Sequence, residues 1–196
     1  MTFNPEIHHR RSIRLKNYNY TQSGYYFITL CTKDRQHLFG EIVNGKMIYN
    51  TSGEIVHDEW LKTAEIRDSI ELDESVVMPN HFHGIIKINN PDMVGARRAV
   101  PLQNTEQQSA RQKTEQFGKP VSGSIPTIVR SFKSAVTKKI NEIRKTLGLY
   151  VWQKNYGISH AFRHYEHIIR NENELYRIRT YIKDNPKNWE TDKENV

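Results

Sequence analysis

The sequence predicts an α+β fold in which an antiparallel sheet has helices packed on one face. Strand-like segments come in hairpins, as in "LFGEIVNGKMIYN" (38–50), where Asn44-Gly45 lies between two apolar runs. Two long segments, 51–66 and 126–147, carry apolar residues at helical spacing and alternate with these strands. Packing such helices against an antiparallel sheet buries the apolar side of both.

The first strand is predicted at "GYYFITLCTK" (24–33), because this segment is rich in aromatic and β-branched residues. The first helix is predicted at "TSGEIVHDEWLKTAEI" (51–66), in which Thr51 and Glu54 have the spacing of a capping box. These two segments frame the 38–50 hairpin.

A second pair of strands is predicted at "IELDESVVMPNHFHGIIKIN" (70–89), joined by a tight turn at 78–80. The segment 149–156 is predicted to be a strand or an extended stretch. A last helix is predicted at about 172–184, ending before Pro186 because proline disfavours helix in the residue before it.

The long helix at 126–147 is predicted to begin near Pro126 and to end before Gly148. Its apolar residues form one stripe, which consists of Ile125, Ile128, Val129, Phe132, Val136, Ile140, Ile143 and Leu147. Between this helix and the preceding strand, "NTEQQSARQKTEQFGKPVSGS" (104–124) is polar and lacks apolar periodicity. We therefore expect a single domain over 1–196, with a flexible linker or insertion at 91–122.

Composition restricts the class of protein. The formal net charge is +7 and the pI about 9.4, which favours a polyanionic partner. No apolar run approaches the roughly 20 residues of a membrane span, and the N-terminus has no apolar segment typical of a secretory signal. The single cysteine, Cys31, excludes an internal disulfide and a structural zinc finger, and it fits a reducing cytoplasm.

Two histidines lie one residue apart in "VVMPNHFHGIIKI" (76–88). Because side chains alternate along a strand, His81, His83 and Ile85 share one face. The opposite, core-facing set is Phe82, Gly84, Ile86 and Ile88. Two imidazoles on one face can bind one divalent cation. Spacing alone leaves open an alternative, two ordinary surface histidines on a half-exposed sheet.

The last helix carries a second group of polar side chains. Arg177, Tyr181 and Asn185 are four residues apart and therefore share one helical face, beside an apolar stripe. The pattern fits a nucleophilic tyrosine flanked by a cation and an amide. It also fits a tyrosine whose ring covers the edge of the sheet, and the pattern alone favours this second interpretation.

The stretches "VVMPNHFHGI" and "YIKDNPKNW" together resemble the REP-associated tyrosine transposases, single-tyrosine members of the HUH class. Further similar stretches are "RRSIRLKNYNYTQSGYYFITLCT", "LFGEI", "EIVHDEW", "SFKSAVTKKIN", "VWQKNY" and "YEHIIRNENEL". The resemblance covers nearly the whole chain outside 91–122. One departure is the insertion "GISHAFRH" (157–164), where relatives run almost directly from one matching stretch to the next.

The resemblance implies a ferredoxin-like, RRM-like sheet and a metal-dependent nuclease. His81 and His83 would bind Mg²⁺ or Mn²⁺, and Asn185 would be the third ligand. Tyr181 would attack single-stranded DNA to give a 5′-phosphotyrosine and a free 3′-OH, which can rejoin strands without ATP. Arg177 and the metal would help to form the phenolate.

The implied substrate is a REP-type palindrome with a short single strand at its foot. The predicted DNA-binding residues are Arg10, Arg11, Arg14, Lys16, Lys133 and Lys138. Cations of the N-terminal arm would contact phosphates, and those of the 126–147 helix would follow the stem. The resemblance implies a monomer or homodimer acting in the bacterial cytoplasm, associated with the nucleoid.

The sequence also bears on three rival functions. A histidine-triad hydrolase requires a third histidine at the position of Ile85, so this interpretation fails. A domesticated protein that binds hairpins without cleaving them retains the same residues and stays open. A role at a membrane surface lacks the bare apolar helix face that it requires.

Overall fold

The computed structural model describes residues 18–89, 121–153 and 165–195. The predicted insertion at 157–164 and nearly all of the predicted linker at 91–122 lie outside these ranges. So do the four predicted DNA-binding residues of the N-terminal arm, Arg10, Arg11, Arg14 and Lys16.

Within the described ranges the chain forms six strands and three α-helices. The strands are β1 (Gly24–Cys31), β2 (Gly40–Val43), β3 (Lys46–Tyr49), β4 (Ile70–Met78), β5 (His81–Ile88) and β6 (Tyr165–Ile169). The helices are α1 (Thr51–Glu65), α2 (Ile125–Arg144) and α3 (Glu172–Asp184). Two short 3₁₀ helices are Lys33–Arg35 and Trp189–Thr191.

Four strands form an antiparallel sheet in the order β4–β5–β1–β6. With α1 between β1 and β4, and α2 between β5 and β6, this is the βαββαβ order of a ferredoxin-like fold, as predicted. β2 and β3 form a separate hairpin between β1 and α1. Its turn places Asn44 and Gly45 at φ values of 51° and 71°, the left-handed pair that their sequence predicts.

The main core lies between one face of the sheet and the helices α1 and α2. Trp60 of α1 packs on Phe82 of β5, with ring centroids 4.7 Å apart. Gly84 follows two residues later, and a Cβ atom at that position would lie 2.5 Å from the Trp60 ring. The glycine in "HFHG" therefore makes room for the tryptophan, and it fixes which face of β5 points to this core.

Helix α3 lies against the opposite face of the sheet. A smaller cluster of buried residues forms there, made of Phe27, Ile85, Ile169, Leu175 and Ile182. The predicted α+β class is confirmed: α1 and α2 pack on one face, and α3 covers part of the other. This second face is the one that carries both histidines.

Helix α1 is capped by Asn50 and not by the predicted box of Thr51 and Glu54. The Asn50 Oδ1 atom accepts hydrogen bonds from the backbone N–H groups of Ser52 (2.9 Å) and Gly53 (3.1 Å). Thr51 is already the first helical residue. The prediction was wrong by one position, because the asparagine that ends the β2–β3 hairpin also starts the helix.

Helix α2 is shorter than predicted. It ends at Arg144, where Lys145 takes the left-handed conformation (φ 55°), so Gly148 is not its stop. The side chain of the buried Asn141 donates to the carbonyl of Leu149 (2.8 Å) and turns the chain back toward the core. The predicted stripe is therefore wrong at its end, where Ile143 and Leu147 are exposed.

After α2 the chain turns at 145–148, and the stretch that follows has a bridge between Thr32 and Trp152. Val151 and Trp152 join the main core, so the segment predicted at 149–156 is extended as far as residue 153, where the description stops. None of the helices in the described part of the chain has the length and apolar character needed to cross a membrane.

Candidate active site

His81 and His83 lie on the same face of the central strand β5, as their spacing predicts. Their side chains are 0% and 2% exposed, and their ring centroids are 4.5 Å apart. The alternative of two surface histidines is therefore wrong. Desolvation by burial lowers the pKa of both imidazoles, so both are neutral at pH 7, which is the form that binds metals.

A hydrogen bond from the adjacent turn orients His81. Its Nδ1 atom lies 2.8 Å from Oδ1 of Asn80. The Nδ2 group of Asn80 donates to the carbonyl of Glu194 (2.7 Å), so Oδ1 must be the acceptor toward the imidazole. The proton of His81 is thus on Nδ1, and its Nε2 lone pair points into the site.

His83 is oriented from the neighbouring strand β1. Its Nδ1 atom lies 2.8 Å from the hydroxyl oxygen of Thr29, which is the residue paired with it across the two strands. The ring of Phe27 stacks on the imidazole at 5.3 Å. The Nε2 atom of His83 faces the same space as the Nε2 atom of His81.

Helix α3 brings Tyr181 to the histidines. The tyrosine hydroxyl is 3.1 Å from Nε2 of His83 and 3.4 Å from Oδ2 of Asp192. Burial raises the pKa of the phenol, and the negative charges of Asp192 and Glu194 raise it further. The hydroxyl is therefore protonated at neutral pH, and a phenolate requires a nearby positive charge.

Asn185, at the end of α3, lies beside His81. Its Oδ1 atom is 3.3 Å from Nε2 of His81, while its Nδ2 group donates to Oδ2 of Asp192 (2.5 Å). That second bond fixes the amide with Oδ1 toward the imidazole. Two buried lone-pair atoms, on Asn185 and His81, consequently face each other, an arrangement that a cation between them would satisfy.

Among the candidate metal ligands, Asp192 is the one that the sequence did not predict. One ligand atom from each of His81, His83 and Asp192 lies within 4.8 Å of the other two, and these residues could hold a metal ion. With Asn185 they offer two nitrogen and two oxygen donors, a set that suits a divalent cation. No motif marks Asp192, because only the turn after α3 brings it back to the sheet.

The C-terminal segment, residues 189–195, is fastened to the sheet around this site. The Glu194 carboxylate pairs with the guanidinium of Arg35 and accepts from the Cys31 thiol. The ring of Trp189 lies 6.0 Å from that of His81. These contacts explain how Asp192 keeps its position beside the histidines.

The remaining predicted site residues are not among the described groups that bond to His81, His83 or the Tyr181 hydroxyl. Arg177 is exposed, and the groups that bond to the Tyr181 hydroxyl or shift its pKa do not include it. Lys133 is half-buried, and desolvation lowers its pKa to about 8. Lys138 is exposed on α2, 4.0 Å from Glu142. Their roles in catalysis or DNA binding stay predictions.

Comparison with known proteins gives one clear sequence relative. An uncharacterized protein of Haemophilus influenzae is 42% identical over 191 residues, which cover 97% of this chain and 95% of that protein. The chain belongs to the same family as this protein. No protein-family model matches the sequence.

Among solved structures, a REP-associated tyrosine transposase bound to a REP hairpin matches with a TM-score of 0.51. The identity is 19%, and the match covers 91% of this chain and 74% of that one. The chain has the fold of the REP-associated tyrosine transposases. The resemblance seen in the sequence is thereby confirmed at the level of this transposase fold. A candidate transposase from Deinococcus radiodurans R1 matches with a TM-score of only 0.41 and 16% identity, over 87% of this chain and 97% of that one.

Proposed function

We propose that the protein is a metal-dependent DNA transposase that nicks and rejoins single strands beside a hairpin, with Tyr181 as the nucleophile. One observation carries this proposal. The Tyr181 hydroxyl lies 3.1 Å from Nε2 of His83, beside the buried His81 and Asn185 and the half-buried Asp192. A phenol beside neutral imidazoles, an amide oxygen and a carboxylate is suited to metal-assisted attack on a phosphodiester.

The residues present fit a divalent cation. Two imidazoles by themselves would suit zinc or nickel better, and the resemblance to the transposases is the reason to propose Mg²⁺ or Mn²⁺. His81 and His83 would bind it through Nε2, and Asn185 or Asp192 would supply oxygen ligands. Thr29 and Asn80 would keep both imidazoles turned toward it. When bound, the cation withdraws charge from a nonbridging phosphate oxygen and makes the nearby phenol more acidic.

The chain's own residues would perform the transfer. The phenol oxygen of Tyr181 forms a bond to phosphorus while the bond from phosphorus to the 3′ oxygen breaks. The products are a 5′-phosphotyrosine and a strand ending in a 3′-OH. Asp192 Oδ2, 3.4 Å from the hydroxyl, is the anionic group positioned to take the phenol proton, and the departing 3′ oxygen takes its proton from solvent. Attack by a 3′-OH on the phosphotyrosine reverses the step and rejoins DNA.

Hairpin DNA is the substrate that we propose. The neighbour of similar fold was solved with a REP hairpin, and the +7 charge of this chain suits a polyanion. The predicted DNA-binding residues of the N-terminal arm and α2 would supply the phosphate contacts. Tyr181 and the histidines meet within one chain, so we expect a monomer to be sufficient for cleavage. We expect the protein to act in the bacterial cytoplasm.

The test uses labelled hairpin oligonucleotides built from inverted repeats beside the protein's own gene, incubated with Mn²⁺ or Mg²⁺. We expect a shortened strand and a protein–DNA adduct that survives denaturing electrophoresis. Both should disappear in Tyr181→Phe. The matched control is Tyr176→Phe on the same helix, since Tyr176 is 72% exposed and away from the histidines.

Two results would contradict the proposal. Cleavage that persists in Tyr181→Phe would exclude the tyrosine as nucleophile. Tight, salt-sensitive hairpin binding without cleavage in either metal would instead support the domesticated DNA-binding protein.

A further inference from the structure

Helix α3 is held at its two edges by different parts of the sheet. Successive helical residues are turned by about 100°, so Tyr181 and Asn185 lie along one edge of the apolar stripe and Arg179 and Lys183 along the other. The first edge meets the histidines. The second edge meets β4, one of the two outer strands of the sheet.

The contacts of the second edge are ionic. The Arg179 guanidinium binds the Asp73 carboxylate through two hydrogen bonds, Nε to Oδ1 at 2.8 Å and Nη2 to Oδ2 at 2.5 Å. One turn later, Nζ of Lys183 lies 2.8 Å from Oε1 of Glu74. A two-point guanidinium–carboxylate pair fixes orientation as well as distance, which a single lysine contact does not.

The two carboxylates that pair with α3, those of Asp73 and Glu74, lie at a bulge in β4. The pairing of β4 with β5 shifts between Leu72 and Ser75. Before the shift Leu72 packs against the α1–α2 core, whereas after it Val76 packs on the α3 side. In a regular strand these two residues, four apart, would share a face. The bulge between them carries Asp73 and Glu74, and both carboxylates reach α3.

We propose that Asp73, together with Glu74, is a positioning residue that sets the rotation of α3 and thereby the place of the Tyr181 hydroxyl. The apolar contact under α3 consists of Leu175, Ile178 and Ile182 packed on residues of the sheet. Because apolar attraction is non-directional, this contact holds the helix on the sheet without fixing its rotation. The ion pairs of Arg179 with Asp73 and of Lys183 with Glu74, here called the ionic edge, restrain the rotation of α3. They lie on the side of the helix opposite Tyr181.

This inference rests on the proposed nuclease function, because it concerns the geometry of attack. A displacement of about 1 Å at a reacting atom can cost roughly a hundredfold in rate. In Asp73→Asn we therefore expect the single-turnover nicking rate to fall at least about tenfold. The dissociation constant of the same hairpin, measured without metal, should stay unchanged, since Asp73 would touch α3 and not the DNA.

The matched control is Glu71→Gln. Glu71 lies on the same strand and also forms an ion pair, with Lys87 at 2.8 Å, but it contacts β5 rather than α3. Its loss should leave the rate unchanged. Arg179→Lys keeps the charge but loses the two-point contact, so it should show a smaller defect and serves if Asp73→Asn fails to fold.

A double variant separates positioning from a general loss of stability. In an Arg179→Gln background, Asp73→Asn should cause little further loss of rate, because the shared contact is already gone. Fully multiplicative defects, a wild-type rate in Asp73→Asn, or a parallel loss of hairpin affinity would each overturn the proposal.

Hydrogen exchange tests the restraint without any reaction. In Asp73→Asn, amides of α3 should exchange faster while those of β5 keep their protection, and Glu71→Gln should change neither. If the wild-type protein does not nick DNA, the proposed function fails, and this measurement still decides whether the ionic edge restrains α3. Unchanged exchange in α3, or faster exchange throughout the sheet, would refute it.

Discussion

At the scale of single residues, the site depends on which nitrogen of each imidazole carries the proton. Asn80 and Thr29 each engage an Nδ1 atom, which leaves both Nε2 atoms facing Tyr181 and Asn185. Burial keeps both rings neutral. Two histidines one residue apart thus form a candidate metal site only because Asn80 and Thr29 orient their rings.

Lys133 illustrates how burial changes the role of a residue. Desolvation lowers its pKa to about 8, below the roughly 10.4 of an unfolded lysine. The unfolded chain therefore binds more protons between these values, and stability should rise as the pH increases from about 8 to 10.4. Below pH 8 the buried charge is destabilising.

We therefore predict that Lys133→Met stabilises the protein at pH 7, by about 1–3 kcal/mol. The gain should disappear above about pH 10.5, where the wild-type lysine is neutral in both states. Urea unfolding at several pH values measures both effects. Lys138→Met, an exposed position on the same helix, should change little. A destabilised Lys133→Met at pH 7 would contradict this account.

At the scale of elements, side-chain hydrogen bonds to nearby backbone groups decide where helices begin and end. Asn50 closes the β2–β3 hairpin and caps α1, whereas Asn141 ends α2 by binding the carbonyl of Leu149. Asn50 bonds N–H groups that the first turn of α1 leaves unpaired, whereas the Asn141 amide binds a carbonyl of the chain beyond α2.

We predict that Asn50→Ala lowers the free energy of unfolding by about 1 kcal/mol, because two backbone N–H groups lose their acceptor. Thr51→Ala should cost less, since the Thr51 side chain makes no capping bond. Urea unfolding of both variants checks the order. A larger loss in Thr51→Ala would restore the capping box that the sequence first indicated.

At the scale of the whole molecule, the candidate site joins parts of the chain that are far apart in sequence. β5 supplies both histidines, and β1 supplies Thr29, which orients His83. α3 supplies Tyr181 and Asn185, and the C-terminal segment supplies Asp192. A ligand held by all of these would bind the folded chain and not the unfolded one. Metal binding should therefore be coupled to global stability.

We predict that Mn²⁺ raises the thermal midpoint of the wild-type protein. At a concentration of about 100 times the dissociation constant, the gain is about 2.7 kcal/mol, or roughly 5–10 °C for a chain of this size. His81→Ala should lose most of this shift. His57→Ala, on the exposed side of α1, should keep it. An equal shift in all three proteins would place the metal elsewhere.

The sequence by itself determined the elements and their faces. Alternation in "HFHG" set the two histidines on one side of a strand, four-residue spacing set Tyr181 beside Asn185, and Asn44-Gly45 set the hairpin. These features follow from backbone geometry, since the repeat of a strand or helix is fixed locally and can be read along the chain.

Only the tertiary structure decided what meets across the chain. Strand order, the bulge in β4 and helix packing together bury His81 and place Asp192 beside it. They also form the ion pair at Asp73 and lower the pKa of Lys133. The resemblance implied Tyr181 and Asn185 as site residues, but no local pattern encodes a distance between residues about a hundred positions apart. Such distances are set by the sum of many packing contacts, and for that reason Asp192 went unpredicted.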